Sequence, residues 1–382
     1  MYDVIVAGGG PVGSSAARFC AEEGLSVLLI EEHADFGRPV QCAGLLSSAA
    51  FKECRVSKRS VLNTVSGARV VSGLGSELSF DAGRTKAYVV DRSALDREMA
   101  EKAAVAGALI KLKTSVYGVS DSGVLTTGVD GKESFKGKMI IAADGPRSIF
   151  SRIYGMKRAG TFLSGVQAEI PYQMNENLVE LHPYASPDFF GWVIPCGKNR
   201  VRVGLCGEKN VKERFDSFIA GFGRENVHHV TGTIPLGVMP KTYGHRTFFI
   251  GDAGGFAKPT SGGGIYTGIR TARHAAETAL LCCEKNRFDD SLMKNYEKLW
   301  KADIGNELSF GMKMFNLRKK INDETIDSLC RAMDNPGITN DIVKYGDMDS
   351  PKKIIKKLAL RPSVMRAGGA FMANELKKMI LS

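Results

Sequence analysis

The chain opens on a short apolar run, Val4 to Val6, which stops at three successive glycines, Gly8 to Gly10. Apolar positions then recur at helical spacing through Ala16, Ala17, Phe19 and Cys20, and a second apolar run, Val27 to Ile30, ends at Glu31. That change of period predicts strand, turn, helix, strand. Two later apolar runs end in turn chemistry: Met139 to Ala143 leads into Asp144-Gly145, and Phe248 to Ile250 leads into Gly251-Asp252. A glycine-rich loop follows Asp252, and a helical pattern starts near Ile265. Between about 159 and 242 helical periodicity fades and alternation takes over. Val166, Ala168 and Ile170 form one alternating set and Val201, Val203 and Leu205 another, with a hairpin connection expected at Cys196 to Asn199. From Asn306 the pattern is helical again, and its last part interleaves Ile354, Ile355 and Leu358 with Lys352, Lys353, Lys356 and Lys357.

The first unit carries G-x-G-x-x-G at Gly8, Gly10 and Gly13. Gly8 allows the tight turn, Gly10 lets backbone approach a pyrophosphate, and Gly13 lets the helix pack on the strand. The helix beginning at Pro11 then presents unsatisfied N–H groups to phosphates. Glu31 is placed to accept from ribose hydroxyls, and its charge disfavours a 2′-phosphate, so the nucleotide is of the FAD or NAD type.

Bulk numbers change this picture little. The chain has 382 residues and a formal net charge of +11, which attracts anions of any kind. No recognisable nucleic-acid module accompanies the charge, so nucleic acid is not an expected partner. No secretory leader precedes the first strand and no apolar run approaches a membrane span, so the expectation is a cytoplasmic protein; its basic C-terminal helix reads either as lying on the inner membrane face, making the protein peripheral there, or as a solvated helix packed on its own domain. The eight cysteines form no C-x-x-C pair and no metal site is expected.

With Asp91-Arg92 between them, the strand-to-Asp-Gly and strand-to-Gly-Asp motifs resemble, over residues 1 to 285, the FAD-dependent hydroxylase and reductase superfamily typified by p-hydroxybenzoate hydroxylase. Within it, "GRPVQCAGLLS" (37–47), "FFGWVIPCGKNRVRVGL" and "KPTSGGGIYTGIRTA" resemble the cysteine loop, the aromatic-W-x-hydrophobic-P segment and the glycine loop of the geranylgeranyl reductase family, including its archaeal digeranylgeranylglycerophospholipid reductases. One departure stands out: Cys42-Ala43-Gly44-Leu45 replaces the Cys-(Gly/Ala)-Glu-Gly common in the archaeal enzymes.

The resemblance implies an α/β fold. A Rossmann-type FAD-binding domain would comprise 1–57, 85–158 and 243–290, an antiparallel substrate domain 58–84 and 159–242, and a helical C-terminal region 291–382. It implies FAD bound by Gly8, Gly10, Pro11, Gly13, Glu31, Cys42, Ala43, Gly44, Arg92, Val116, Asp144, Gly145, Asp252, Gly263, Gly264 and Ile265. Arg92 has a second reading, as an i,i+4 salt-bridge partner in "DRSALDRE". Phe190, Trp192 and Pro195, with Phe189 and Ile194, would line an apolar substrate pocket, and Cys42 and Tyr266 are the proton-side candidates. The implied reaction saturates prenyl double bonds of membrane lipids by hydride transfer from reduced flavin. The chain has no second dinucleotide unit, so NAD(P)H, ferredoxin or a reduced deazaflavin would dock transiently. The alternatives are an FAD monooxygenase or halogenase, and a non-catalytic flavin-binding electron carrier or regulator.

Overall fold

A computed structural model of the protein describes residues 1–223 and 228–369. Its central sheet is parallel. Strand Tyr2–Ala7 lies between Val27–Ile30 and the carboxyl half of Gly131–Ala142; Leu109–Lys111 extends the sheet on one side and Thr247–Phe249 on the other. The apolar runs are continuous because helices and a second sheet cover both faces. One face packs on helices Pro11–Glu22, Arg92–Val105 and Ile265–Glu284, the other on Val124, Phe150 and Met239. The amino half of Gly131–Ala142 leaves the sheet and pairs antiparallel with Gly123–Gly128, which in turn pairs with Thr114–Ser120.

Register brings Ala7, Ile30, Ala142 and Phe249 to one edge of the sheet. Every candidate loop of the dinucleotide unit therefore leaves from the carboxyl ends of the strands, where open α/β sheets bind ligands.

The second sheet has seven strands in the order His229–Leu236, Thr161–Pro171, Arg200–Gly207, Phe190–Gly197, Leu178–His182, Gly67–Val71, Glu77–Asp81. It draws on both segments expected for the substrate domain. Phe190–Gly197 and Arg200–Gly207 form the hairpin, with Asn199 at φ 54° in its turn. The alternating apolar sets, Val166, Ala168, Ile170 and Val201, Val203, Leu205, pack under helix Val211–Ala220 through Phe215, Phe218 and Ile219. This helix lies where alternation was expected to exclude one; its apolar residues recur at i, i+4, i+7 and i+8 over a single span too short to dominate the strand pattern around it. The opposite face of the sheet, carrying Gln167, Trp192, Arg202 and Gly204, turns toward the dinucleotide unit. A small third sheet, Leu45–Ser47, Ala87–Val90 and Val61–Val65, joins the two.

Helices Asp290–Trp300, Asn306–Arg318, Asp323–Met333, Pro336–Tyr345 and Lys352–Ala359 form the C-terminal region, and the first two are joined by a π-helical turn, Lys301–Gly305. One expectation is corrected here. Ile354 and Ala359 are each 7% exposed, and Ala359 and Ile355 pack beside Phe310 and Leu317. The apolar face expected to lie on a membrane is turned inward because helix Asn306–Arg318 offers it a partner. Lys377 and Lys378, part of the same basic run, lie outside the described residues.

Candidate functional site

The glycine turn is explained by what a side chain would meet. A Cβ on Gly8, at φ 102°, would collide with the Ala143 carbonyl, and one on Gly13 would collide with the carbonyl of Gly8. Gly10 and Gly145 face open space. Helix Pro11–Glu22 starts at Gly10 with no side-chain cap and no acid in its first turn, so its N–H groups stay free for an anion. Helix Ile265–Glu284 starts the same way at Gly264. Gly263 and Gly264 precede that start and Ile265 begins the helix.

Glu31 is buried and already engaged. Its Oε2 accepts from the Gly9 N–H at 2.6 Å, and its Oε1 accepts from the His33 N–H at 2.8 Å and lies 2.6 Å from His33 Nδ1. The carboxylate braces the glycine turn, and Oε2, with one donor, keeps a lone pair for a ribose hydroxyl. The Thr114 N–H donates to the Glu31 carbonyl at 3.0 Å, so Val116 lies on the strand that starts beside Glu31.

Two carboxyls lack full satisfaction. Asp144 Oδ2 accepts from the Ile149 N–H at 2.8 Å, but its Oδ1 is buried with no partner, and burial raises its pKa to about 6. Burial likewise raises Asp252 to about 6, opposed by the charge of Arg92. Among the described residues no hydrogen bond reaches the Asp252 carboxyl, and a Cβ on Gly264 would lie 2.8 Å from its Oδ1. A buried Asp144 oxygen without a donor, a half-buried Asp252 carboxyl, two open helix starts and two glycines against empty space fit the hydroxyls and diphosphate of FAD.

Arg92 makes the ion pair of its second sequence reading. Its Nε and Nη2 donate to Asp96 Oδ1 and Oδ2 at 3.1 and 2.8 Å, the i,i+4 pair. Burial disfavours its charge, but Asp96 and then Cys42 outweigh burial and raise its pKa. Arg92 thus stands between Asp96, Cys42 and Asp252.

The cysteine loop is held from the second sheet. The Gly44 N–H points at Cys42 Sγ at 3.4 Å, Gln167 Nε2 donates to the Cys42 carbonyl at 3.3 Å, and Trp192 Nε1 donates to Gln167 Oε1 at 3.2 Å. Arg202 Nη1 donates to the carbonyls of Ala43 and Val90 at 2.8 and 3.0 Å. A side chain at Gly44, φ 71°, would run into Arg202 Nη1 and the Val90 carbonyl. The Val90 carbonyl and the left-handed φ stand against any side chain at 44, and the Arg202 guanidinium fills the place where one would lie.

Strand alternation sorts the aromatic candidates. Phe189 and Phe190 stack with centroids 4.4 Å apart, and Phe190 meets Trp192 edge-on at 6.4 Å. Trp192 belongs to two clusters, one with Ala43, Leu45 and Ile194, the other with Phe189, Ala257 and Met312. A cavity of about 400 Å³ continues past Ala257 and Met312 toward Trp300 and Leu308. Pro195 shares strand parity with Val193, which packs beneath helix Val211–Ala220, so it is not brought to the aromatic cluster. Tyr266 and Cys42 sit in different surroundings. Tyr266 lines a separate cavity of about 40 Å³ with Lys258, Asp303, Glu307 and Asp349, and burial raises its pKa.

Sequence reasoning passed over Gln167, Arg202, Lys258 and Asp349. For the first two the signal was present: each is the polar member of an alternating strand whose apolar members were read as the site's sheet. Asp349 has no local signal at all.

A model of the FAD-binding domain matches residues 1–216. Digeranylgeranylglycerophospholipid reductase 2 of Methanothermobacter thermautotrophicus is 31% identical over 366 residues, covering 89% of this chain and 93% of that protein. A geranylgeranyl bacteriochlorophyll reductase-like protein from Thermoplasma acidophilum superimposes with a TM-score of 0.87 at 27% identity, covering 99% of both chains. p-Nitrophenol 4-monooxygenase from Pseudomonas putida reaches 0.70 at 18% identity, over 90% of this chain and 97% of its own, which shows the fold alone.

Proposed function

Because the chain belongs to the FAD-dependent reductase family that includes the archaeal digeranylgeranylglycerophospholipid reductases, we propose that it saturates prenyl double bonds of a membrane lipid or a related isoprenoid. The observation that carries this reading is the aromatic cluster of Phe189, Phe190 and Trp192: Trp192 packs with Ala43 and Leu45 of the cysteine loop, and the cluster shares Ala257 and Met312 with the lining of the cavity of about 400 Å³. An extended apolar chain needs such a lining, and a pocket of this size falls within the range of roughly 300–1,000 Å³ usual for small-molecule sites.

An isolated alkene has no carbonyl to polarise it, so the protein's contribution is alignment and exclusion of water. Bound FAD, once reduced, supplies the hydride. Gly8, Gly10, Gly13, Asp144 and Asp252 would hold its diphosphate and hydroxyls, while the open start of helix Ile265–Glu284 favours negative charge at the ring. The second carbon needs a proton, and Cys42 is assigned as its donor: the thiol loses H⁺ as the new C–H bond forms, and water restores it. The reductant is a transient visitor, either NAD(P)H, ferredoxin or a reduced deazaflavin. Among the described residues no helix is long and apolar enough to cross a membrane. Exposed Met348, Leu360 and Met365 beside Lys353 and Arg366 support peripheral contact with an anionic lipid surface.

Mixing the anaerobically reduced holoprotein with a geranylgeranyl lipid tests the reading. The expected result is return of the oxidised-flavin absorbance and a mass gain of one hydrogen molecule per reduced bond. Failure of every prenyl lipid to reoxidise the flavin, with substrate-dependent oxygen consumption instead, would move the protein to the monooxygenases.

A further inference from the structure

A buried ionic cluster underlies the two loops that flank the flavin ring site. Lys258 Nζ lies 2.5 Å from Asp349 Oδ1 and donates to the Met348 carbonyl at 3.0 Å; the ammonium-bearing residue is 8% exposed and the aspartate 5%. The other carboxylate oxygen of Asp349 accepts from the Ser47 hydroxyl. Each partner belongs to a different segment of the site. Ser47 ends the strand that follows Cys42, Ala43 and Gly44, and it caps helix Ser48–Cys54 by accepting from the Ala50 N–H at 2.9 Å.

Lys258 closes the glycine loop upon itself: its carbonyl accepts from the Gly262 N–H at 2.8 Å and its N–H donates to the Gly263 carbonyl at 3.1 Å. Its side chain passes beneath Gly263, whose Cβ would lie 3.3 Å from Lys258 Cε. Asp349 comes from the C-terminal region, in a turn where its own N–H donates to Asp347 Oδ1 at 2.7 Å.

Burying a cation and an anion is costly unless geometry and further hydrogen bonds offset the lost hydration. Here the further bonds tie the pair to Ser47 on one side and to the C-terminal turn at Met348 on the other, with Lys258 itself closing the glycine loop. We propose that Asp349 is a positioning residue for the flavin: through Ser47 and Lys258 it clamps the cysteine loop and the Gly262–Gly264 loop at a fixed separation, which makes the C-terminal region part of the flavin site. Lys258, under the loop expected at the pyrimidine edge of the ring, also places a positive charge where reduction adds negative charge. This deepens the FAD reading and rests on it.

The test uses the whole protein stripped of FAD and titrated with FAD, then the reconstituted holoprotein. Asp349→Asn and Lys258→Met are expected to raise the FAD dissociation constant roughly tenfold or more, since each leaves a buried charge without its partner. Ser47→Ala, which removes a single hydroxyl, is expected to give a smaller rise, and Asp349→Glu partial recovery. The midpoint potential of bound flavin separates positioning from mere stability: Lys258→Met moves it negative and Asp349→Asn moves it positive, because the two remove opposite charges. Unchanged affinity and potential in folded variants overturn the proposal, as do potential changes of the same sign. Should Asp349→Asn fail to fold, Ser47→Ala and Asp349→Glu decide: wild-type affinity and spectrum in both would overturn it. None of these readouts uses a prenyl lipid, so a failure here is distinguishable from a failure of the proposed reaction.

Discussion

The diphosphate end and the ring end of the flavin site are built in opposite ways. The glycine turn proposed for the diphosphate comes from one continuous stretch, Gly8 to Glu31, in which strand, turn, helix and strand are neighbours in sequence and the bracing bond runs from the Gly9 N–H to Glu31, with Asp144 and Asp252 added from later strand ends. The proposed ring end is assembled from Cys42, Arg92, Gln167, Trp192 and Arg202, joined through Ser47 and Asp349 to Lys258, because the second sheet and the C-terminal region fold against the first. The first is governed by backbone sterics and the second by side-chain bonds across sheets. A local element should therefore fail all at once when its backbone is blocked, while a composite one should lose function stepwise.

The largest effect should come from Gly13→Val. Its Cβ meets the Gly8 carbonyl, which the paired strand cannot move aside, so FAD should no longer copurify and the apoprotein should lose about 3 kcal/mol in a denaturant titration, the upper end for overpacking. At the ring end, Cys42→Ala should leave FAD bound and lower single-turnover reduction of a prenyl lipid about 100-fold, the scale of a lost proton donor. Unchanged turnover would return Cys42 to a structural role. Arg202→Met should be milder. It frees the carbonyls of Ala43 and Val90 from their shared donor, and an expected loss of about tenfold in turnover with FAD affinity nearly intact follows from misplacement of the loop. Equal losses in FAD affinity for Gly13→Val and Arg202→Met would erase the distinction between the two ends.

The smallest effect is a pH dependence. Asp144 and Asp252 titrate near 6 when folded and near 3.8 when unfolded. In that window the folded apoprotein binds more protons than the unfolded chain, so its stability falls as pH rises from about 4 to about 6. FAD hydroxyls donate to the ionised carboxylates, so FAD affinity should rise over the same window, each carboxyl contributing at most about tenfold for every pH unit crossed. Isothermal titration between pH 5 and pH 7.5 measures it, and Asp252→Asn should flatten the curve.

The legibility of the site follows the same division. Gly8, Gly10, Gly13 and the apolar strands were readable because each requirement concerns the nearest few residues. The alternating strands were readable as strands, but Val166, Ala168, Ile170, Val201, Val203 and Leu205 drew attention to the helix-covered face, whereas the partners of the cysteine loop, Gln167 and Arg202, occupy the other. Pro195 went to the wrong face for the same reason of parity. The helix Lys352–Ala359 looked like a membrane-surface helix because periodicity shows that an apolar face exists, not what covers it; Phe310 and Leu317 cover it.

By itself, then, the sequence determined the dinucleotide unit, the order of strands and helices, and the residue types the chemistry calls for, since these rest on local sterics and on side-chain period. Only the tertiary structure decided which sheet face meets the cysteine loop, that Arg202 stands where a side chain on Gly44 would be, and that Asp349 reaches Lys258 and Ser47 from far along the chain. Those choices depend on contacts between segments with no shared pattern, and a hydrogen bond across hundreds of residues leaves no periodicity to read.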